Sequence, residues 1–169
     1  IGGVHPHDSK ISANAAIESF PIPEVAYISM GQHLGAPAEP IVAPGDKVKV
    51  GQLIANANGF ISAPVHSSVS GTVKGIETIF DLAGNPCKAV VITVEGDEWV
   101  ETIDRSDKIE KEIKLEAKEI IEKIKECGVV GLGGATFPTN VKLSPPPGKK
   151  AEFLIINGAE CEPYLTSDY

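Results

Sequence analysis

Cysteine is scarce in this sequence: Cys87, Cys127 and Cys161 lie far apart along 169 residues. That spacing excludes a disulfide framework, a CxxC zinc site and a four-thiolate iron–sulfur site built by this chain alone. Basic clusters are also lacking. There are 15 Lys and Arg against 23 Asp and Glu, a net charge of −8, and such a chain is a poor partner for nucleic acid. No apolar run reaches the roughly 18–20 residues of a membrane helix. No basic start followed by an apolar core marks a secretory leader. The chain opens at Ile1 without a methionine and closes at Tyr169 soon after a dense polar motif, as expected of a piece of something longer. What is present is ordinary for a folded chain, 42% hydrophobic and 22% charged. That is enough apolar mass for a core and too much for disorder.

Three textures divide the chain. Residues 1–40 are rich in Gly, Pro and His ("GGVHPHDSK", "QHLGAPAEP") with little periodicity, and are expected to be an extended segment packing on the neighbouring β module. Residues 41–100 hold short β-branched runs punctuated by turn residues. Val42, Val48, Val50, Leu53 and Ile54 form one set; Val65, Val69, Val73, Ile76, Ile79 and Val90–Val94 form another, with turns at Pro44-Gly45-Asp46 and Asn56–Gly59. Short, closely spaced strands predict a small all-β barrel or sandwich. Residues 101–169 change to α/β texture. Asp107 and Glu110 fit a capping box. Ile109, Ile113, Ala117, Ile120, Ile121 and Ile124 recur at helical spacing, so a helix over 107–127 is expected, stopped by Gly128. A glycine-rich loop, a strand at Phe153–Ile156 and the polar loop "NGAECEPY" come next. This order reads as the opening of an open α/β domain, in which ligands bind at strand carboxyl ends. The fold class is therefore mixed α and β, a β barrel followed by the start of an α/β domain.

"PGDKVKVGQLI" followed by "SAPVHSSVSGTV" resembles the two halves of biotinyl and lipoyl carrier domains, a barrel-sandwich hybrid. Those carriers present a modified lysine at a hairpin tip. Here the tip reads "ANANGFISAP", and no lysine stands between Lys49 and Lys74. Without that amine no amide to lipoate or biotin can form, so neither prosthetic group is expected. The histidines receive plain readings. His5 and His7 are too few ligands for a metal, and no metal site is expected. His33 and His66 lie in Gly/Pro-rich turns, where each imidazole is expected to hydrogen-bond backbone groups.

"GLGGATFP" spans Gly131 to Pro138, with glycines at Gly131, Gly133 and Gly134. Such a loop lets a flat ring or a phosphate approach the main chain. Pro138 suits the first turn of a short helix whose N–H groups would face an anion. Lys142, one turn on, would point its charge at the same ligand. The spacing fits neither a Walker A loop nor a G-x-G-x-x-G fingerprint. In "NGAECEPY", Asn157 follows the expected strand, and Glu160 and Glu162 flank Cys161. Carboxylates suit hydrogen bonds from a ribose or a nicotinamide amide, and negative charge near a flavin lowers its potential. Together with Lys142 they match a flavin and its dinucleotide partner better than a nucleoside triphosphate. The carboxylates disfavour a Cys161 thiolate and so argue against a nucleophile there.

These blocks carry a family resemblance. "GLGGATFPTNVK" and "NGAECEP" resemble the flavin/NADH site of the flavin-bearing subunit of respiratory complex I. The whole chain is similar to the C subunit of the Rnf electron-transport complex, through "GGVHP", "QHLGAPAEPIV", "GDKVKVGQ", "APVHSSVSGTV", "GVVGLGGATFPTNVKL" and "INGAECEPY" in order. The resemblance implies FMN and NAD(H) as cofactors, with [4Fe–4S] clusters in a segment downstream of these residues. It implies a peripheral subunit at the cytoplasmic side of the membrane, with no span of its own and with other subunits of the complex as partners. It assigns Gly131, Gly133, Gly134, Lys142 and Asn157 to the FMN. It sets Glu160 and Glu162 near flavin and nicotinamide, and Phe137 against the dinucleotide. No side chain is assigned as catalytic, because the flavin carries the chemistry. Leu132 and Ala159 depart from an Arg and an Asp of the complex I pattern, so a charged contact is lost at each. Two other readings stay open: the A subunit of a sodium-translocating NADH:quinone reductase, and a non-catalytic assembly or docking module. Taken alone, these residues are expected to be inactive.

Overall fold

The structure, a computed structural model, describes residues 3–81, 83–132, 134–157 and 162–166. Seven strands carry the β part: β1 (Val25–Ser29), β2 (Glu39–Pro40), β3 (Lys47–Val48), β4 (Leu53–Asn56), β5 (Val65–His66), β6 (Gly71–Phe80) and β7 (Pro86–Val94). They form two antiparallel sheets, one in the order β1-β7-β6-β3 and one in the order β2-β4-β5. The first strand falls inside residues 1–40, the stretch expected to be only an extended lead-in. Val25–Ser29 pairs with Thr93–Ala89 along its whole length. Its alternation is short and its flanks are rich in proline, which hid it from a periodicity argument.

The core lies between the sheets. Ile28, Met30, Val48, Ile54, Val73, Val90 and Ile92 form it, with Ala38, Ala55 and Val65. Strand β7 runs between β1 and β6, and Ala89–Ile92 are all buried, which explains its unbroken apolar run. Beyond the register pair Ser29↔Ala89, the β6–β7 hairpin continues without β1 as far as Phe80↔Pro86. Phe80 there is 73% exposed. The hairpin turn is closed by the Asp81 carboxylate, which accepts the backbone N–H groups of Ala83 and Asn85 at 2.9 and 2.8 Å. The segment after β7 folds back: Val50 bridges Trp99, and the Arg105 guanidinium stacks over the Trp99 ring at 4.4 Å.

The helix is shorter than its periodicity predicts. Helix α1 is Ala117–Glu126, and residues 107–116 are not helical. The Asp107–Glu110 capping box is not used; the Glu119 carboxylate instead accepts the Glu116 N–H at 2.8 Å. Ile109 and Ile113 remain 77% and 61% exposed, so the upstream turns have no surface on which to bury their apolar stripe. Without tertiary burial, helical propensity alone is marginal at this length. Ile120, Ile121 and Ile124, by contrast, are half-buried. Gly128 ends the helix as expected: its N–H donates to the Lys125 carbonyl at 2.9 Å and that of Val129 to the Ile124 carbonyl at 3.2 Å. This is a Schellman closure. Alongside α1, Leu53, Pro64, Glu122 and Lys125 line an open cleft of about 460 Å³.

The chain divides into two compact units, residues 22–147 and a second made of 1–21 with 148–169. In the second unit the Ser9 N–H donates to the Pro163 carbonyl at 3.3 Å, and the Ser12 and Thr166 hydroxyls meet at 2.9 Å. The Lys10 ammonium donates to the Leu165 carbonyl. The strand expected at Phe153–Ile156 is absent. These four residues are 76–88% exposed and enter no ladder among the described residues. An apolar β-branched run becomes a strand only when a neighbouring strand satisfies its backbone.

Candidate functional site

The glycine-rich loop belongs to the unit of residues 22–147 and is closed at its base by backbone bonds. Val130 bridges Pro138, and the Gly131 N–H donates to the Phe137 carbonyl at 3.0 Å. Pro138 is fully buried and precedes the short helix α2 (Thr139–Lys142). The sequence predicts that the first N–H groups of this helix face an anion, and one of them is engaged within the protein. The Thr139 N–H is taken by the Val129 carbonyl at 3.0 Å, and the helix is one turn long.

The lysine lies beside the start of the loop. A Cβ built on Gly131 would lie 3.8 Å from the Lys142 Nζ and 3.9 Å from the Phe137 carbonyl oxygen. The ammonium therefore stands over the start of the loop. At Gly134, φ is +150°, a region that side-chain-bearing residues avoid, and a Cβ there would meet nothing within 4 Å. The loop thus offers open main chain beside a cation, and Phe137 is half-buried next to it. Thr136 has φ +48°, the one positive value on a non-glycine among the described residues. Sequence reasoning passed over Thr136, because nothing in its identity marks a left-handed conformation.

Asn157 and Glu162 belong to the second unit and are exposed. The Glu162 carbonyl accepts the Leu165 N–H at 3.2 Å. Gly133, Glu160 and Cys161 lie outside the described residues. The structure therefore brings Gly131, Gly134, Phe137 and Lys142 together in one loop and one helical turn. No group of three or more His, Cys, Asp or Glu stands ready to hold a metal among the described residues.

The histidines read as plain in the sequence are resolved separately. His33 is buried and uses both ring nitrogens. Nε2 accepts the Ala63 N–H at 3.3 Å, which leaves the proton on Nδ1, facing the Leu34 carbonyl at 3.2 Å. The His66 Nδ1 lies 3.6 Å from where a Cβ on Gly128 would sit. Burial pushes the His66 imidazole below its ordinary value, because the charged form is less well solvated there.

Two family profiles match the chain in sequence order. The RnfC barrel sandwich hybrid domain matches residues 1–97, and the Nuo51 FMN-binding domain matches residues 124–169. The chain belongs to the RnfC family. Relatives of RnfC type cover almost all of it. The C subunit of the proton-translocating ferredoxin:NAD(+) oxidoreductase complex of Clostridium ljungdahlii is 51% identical over 99% of this chain and 36% of its own length. The C subunit of the Na(+)-translocating ferredoxin:NAD(+) oxidoreductase complex of Acetobacterium woodii is 45% identical over 99% of this chain and 38% of its own. The C subunit of the ion-translocating oxidoreductase complex of Rhodobacter capsulatus is 40% identical over 99% and 32%. This RnfC chain thus spans about a third of the length of these relatives. The two sheets of residues 25–94 are its barrel sandwich hybrid, and the glycine-rich loop with Lys142 lies in its FMN-binding match.

Proposed function

We propose that this chain is part of a peripheral electron-transfer subunit that binds FMN and NAD(H). In this reading it exchanges electrons between NAD(H) and iron–sulfur clusters in an ion-translocating ferredoxin:NAD oxidoreductase. The observation that carries the reading is the Lys142 ammonium standing over open glycine backbone, within the segment that matches an FMN-binding domain. The names of the relatives support the reaction class.

The residues fit a flavin mononucleotide. Lys142 supplies a point charge for a phosphate. Gly131 and Gly134 leave room for a planar group against the main chain, with Gly133 between them in sequence. Phe137 offers an aromatic face. Asn157 would give a donor and an acceptor to the ring or ribityl chain. The carboxylates of Glu160 and Glu162 would accept hydrogen bonds from a nicotinamide or ribose. When bound, FMN supplies the step between two-electron hydride chemistry and single-electron transfer. This chain's residues bind, orient and set the local charge, and no side chain is proposed as a proton donor.

The same reading makes other subunits of the complex its partners and sets the protein at the cytoplasmic face of the membrane. No helix among the described residues is long and apolar enough to cross a membrane, so attachment would run through those partners. The [4Fe–4S] clusters are proposed for the part of the subunit that this chain does not span, and the 169 residues alone are proposed to be inactive.

The experiment uses the full-length subunit. Purified protein should show flavin absorbance that NADH bleaches without oxygen. Gly134→Val forces a β-branched side chain into a glycine-only conformation and should abolish flavin binding. Unchanged flavin content and bleaching in that variant would remove the loop from the site.

A further inference from the structure

The bend Gln32–Ala36, which links β1 to β2, is fixed to the barrel by several independent contacts. His33 bonds the Ala63 N–H through Nε2 at 3.3 Å and faces the Leu34 carbonyl through Nδ1 at 3.2 Å. Gly35 has φ +100°, and a Cβ there would fall 2.0 Å from the Ile61 carbonyl oxygen, so only glycine lets the two backbones approach. The Ala36 N–H donates to that same carbonyl at 3.0 Å, and the buried Ser62 hydroxyl donates to the Ala36 carbonyl at 2.8 Å. A bend held this firmly presents its backbone donors in fixed directions. One of them, the Leu34 N–H, bonds the Thr136 carbonyl at 3.1 Å.

Thr136 is the residue in the glycine-rich loop that most needs holding. Its φ of +48° is disfavoured for a β-branched side chain. Its hydroxyl donates to the Ala135 carbonyl at 2.8 Å, a local contact that cannot fix the loop against the rest of the molecule. The loop base is closed by Gly131 and Phe137, and the Leu34 bond ties the adjoining Thr136 to the bend between β1 and β2.

We infer that the Gln32–Ala36 bend is a positioning element for the flavin-binding loop: anchored through His33, it holds Thr136 left-handed and so sets the peptides of Gly134 and Ala135. The barrel sandwich hybrid thereby acquires a function that the carrier fold lacks. It serves as the rigid jig for the neighbouring cofactor loop. The inference rests on the proposed FMN role for what the loop binds, but the mechanical tie stands on the geometry alone.

The test compares His33→Leu, His33→Gln, Thr136→Gly and the double variant His33→Leu/Thr136→Gly in the full-length subunit. Two readouts are taken, the FMN dissociation constant and amide hydrogen exchange of residues 131–137. His33→Leu should weaken FMN by about tenfold, as expected for loss of a buried hydrogen-bonded anchor, and should speed exchange in the loop while exchange of β7 stays the same. His33→Gln keeps an acceptor and a donor on one side chain and should stay near wild type. Thr136→Gly adopts the left-handed conformation unaided, so in the His33→Leu background it should restore most of the affinity. A merely structural role for His33 would not be rescued from residue 136. Ser62→Ala, which removes the bond to the Ala36 carbonyl and the one accepted from the Asn58 N–H, leaves His33 in place; it should show a smaller shift of the same sign and serves if His33→Leu does not fold. Unchanged affinity and exchange in His33→Leu, or no restoration by glycine, would overturn the inference. If wild-type protein holds no flavin, the FMN reading fails, and the exchange data alone decide whether the bend holds the loop.

Discussion

A Cβ on Gly128 would lie 2.5 Å from the Pro64 carbonyl oxygen. This contact joins the end of α1 to the barrel at the point where the chain enters the glycine-rich loop, and Gly128 has φ +65° there. Gly128→Ala should therefore destabilise twice over. The left-handed conformation costs about 1–2 kcal/mol for a residue with a side chain, and the displaced Pro64 backbone adds to it. A loss of about 2 kcal/mol or more should appear as a lower midpoint in urea unfolding with the slope unchanged. A loss under about 0.5 kcal/mol, the scale of an ordinary surface change, would mean that the close approach relaxes without cost.

Lys142 is exposed at the end of α2, so its replacement should separate binding from folding. In the full-length subunit, Lys142→Gln should weaken FMN by about tenfold, the scale of a lost charge-assisted hydrogen bond. The unfolding midpoint should stay the same. Lys142→Arg should recover part of the affinity, since it keeps the charge and changes its geometry. Equal flavin affinity in all three proteins would leave Gly131 and Gly134 without their cation and weaken the FMN assignment.

The barrel and the loop were legible in the sequence for different reasons. The strands β3 to β7 followed from β-branched runs and turn residues. The turn at Pro44-Gly45-Asp46 is closed as expected, with the Asp46 carboxylate accepting the Ala43 N–H at 2.8 Å. The one-turn spacing from Pro138 to Lys142 singled out the lysine that the structure sets beside Gly131. Four features were not legible. Strand β1 is defined by its pairing with β7, a long-range relation that no local pattern carries. The helix loses its first ten expected residues because Ile109 and Ile113 find nothing to cover them. Phe153–Ile156 has the composition of a strand, but a strand also needs a neighbour. Nor was the positive φ legible at Thr136, whose carbonyl accepts the N–H of Leu34 from a distant part of the chain.

A buried and an exposed apolar side chain of the β module should respond very differently to truncation. Ile54 of β4 belongs to the core cluster with Val73, Val90 and Ile92 and has no exposed surface, whereas Phe80 at the tip of the β6–β7 hairpin is 73% exposed. Ile54→Ala should cost about 2–5 kcal/mol, because the lost transfer energy and the cavity add. Phe80→Ser should change stability by about 0.5 kcal/mol or less. Chemical denaturation of both variants checks this. A large loss for Phe80→Ser would show that the hairpin tip is packed in the folded protein after all.

His66 makes the folded chain sensitive to mild acid. Burial holds its imidazole below the ordinary value of 6.5, so in the window between the unfolded and folded values the unfolded chain binds more protons. Stability then rises with pH across that window. The full contribution is present above the unfolded value and is lost as pH falls from 6.5 through the lowered folded value. His66 sits on β5 against Gly128, so its protonation acts at the junction of the barrel with the end of α1. Urea midpoints measured at pH 7.5 and at pH 5.5 should differ more for the wild type than for His66→Gln, which cannot take up the proton. The other histidines are common to both proteins and cancel in the comparison. An identical pH slope in the two proteins would mean that the junction accommodates the charged ring without loss.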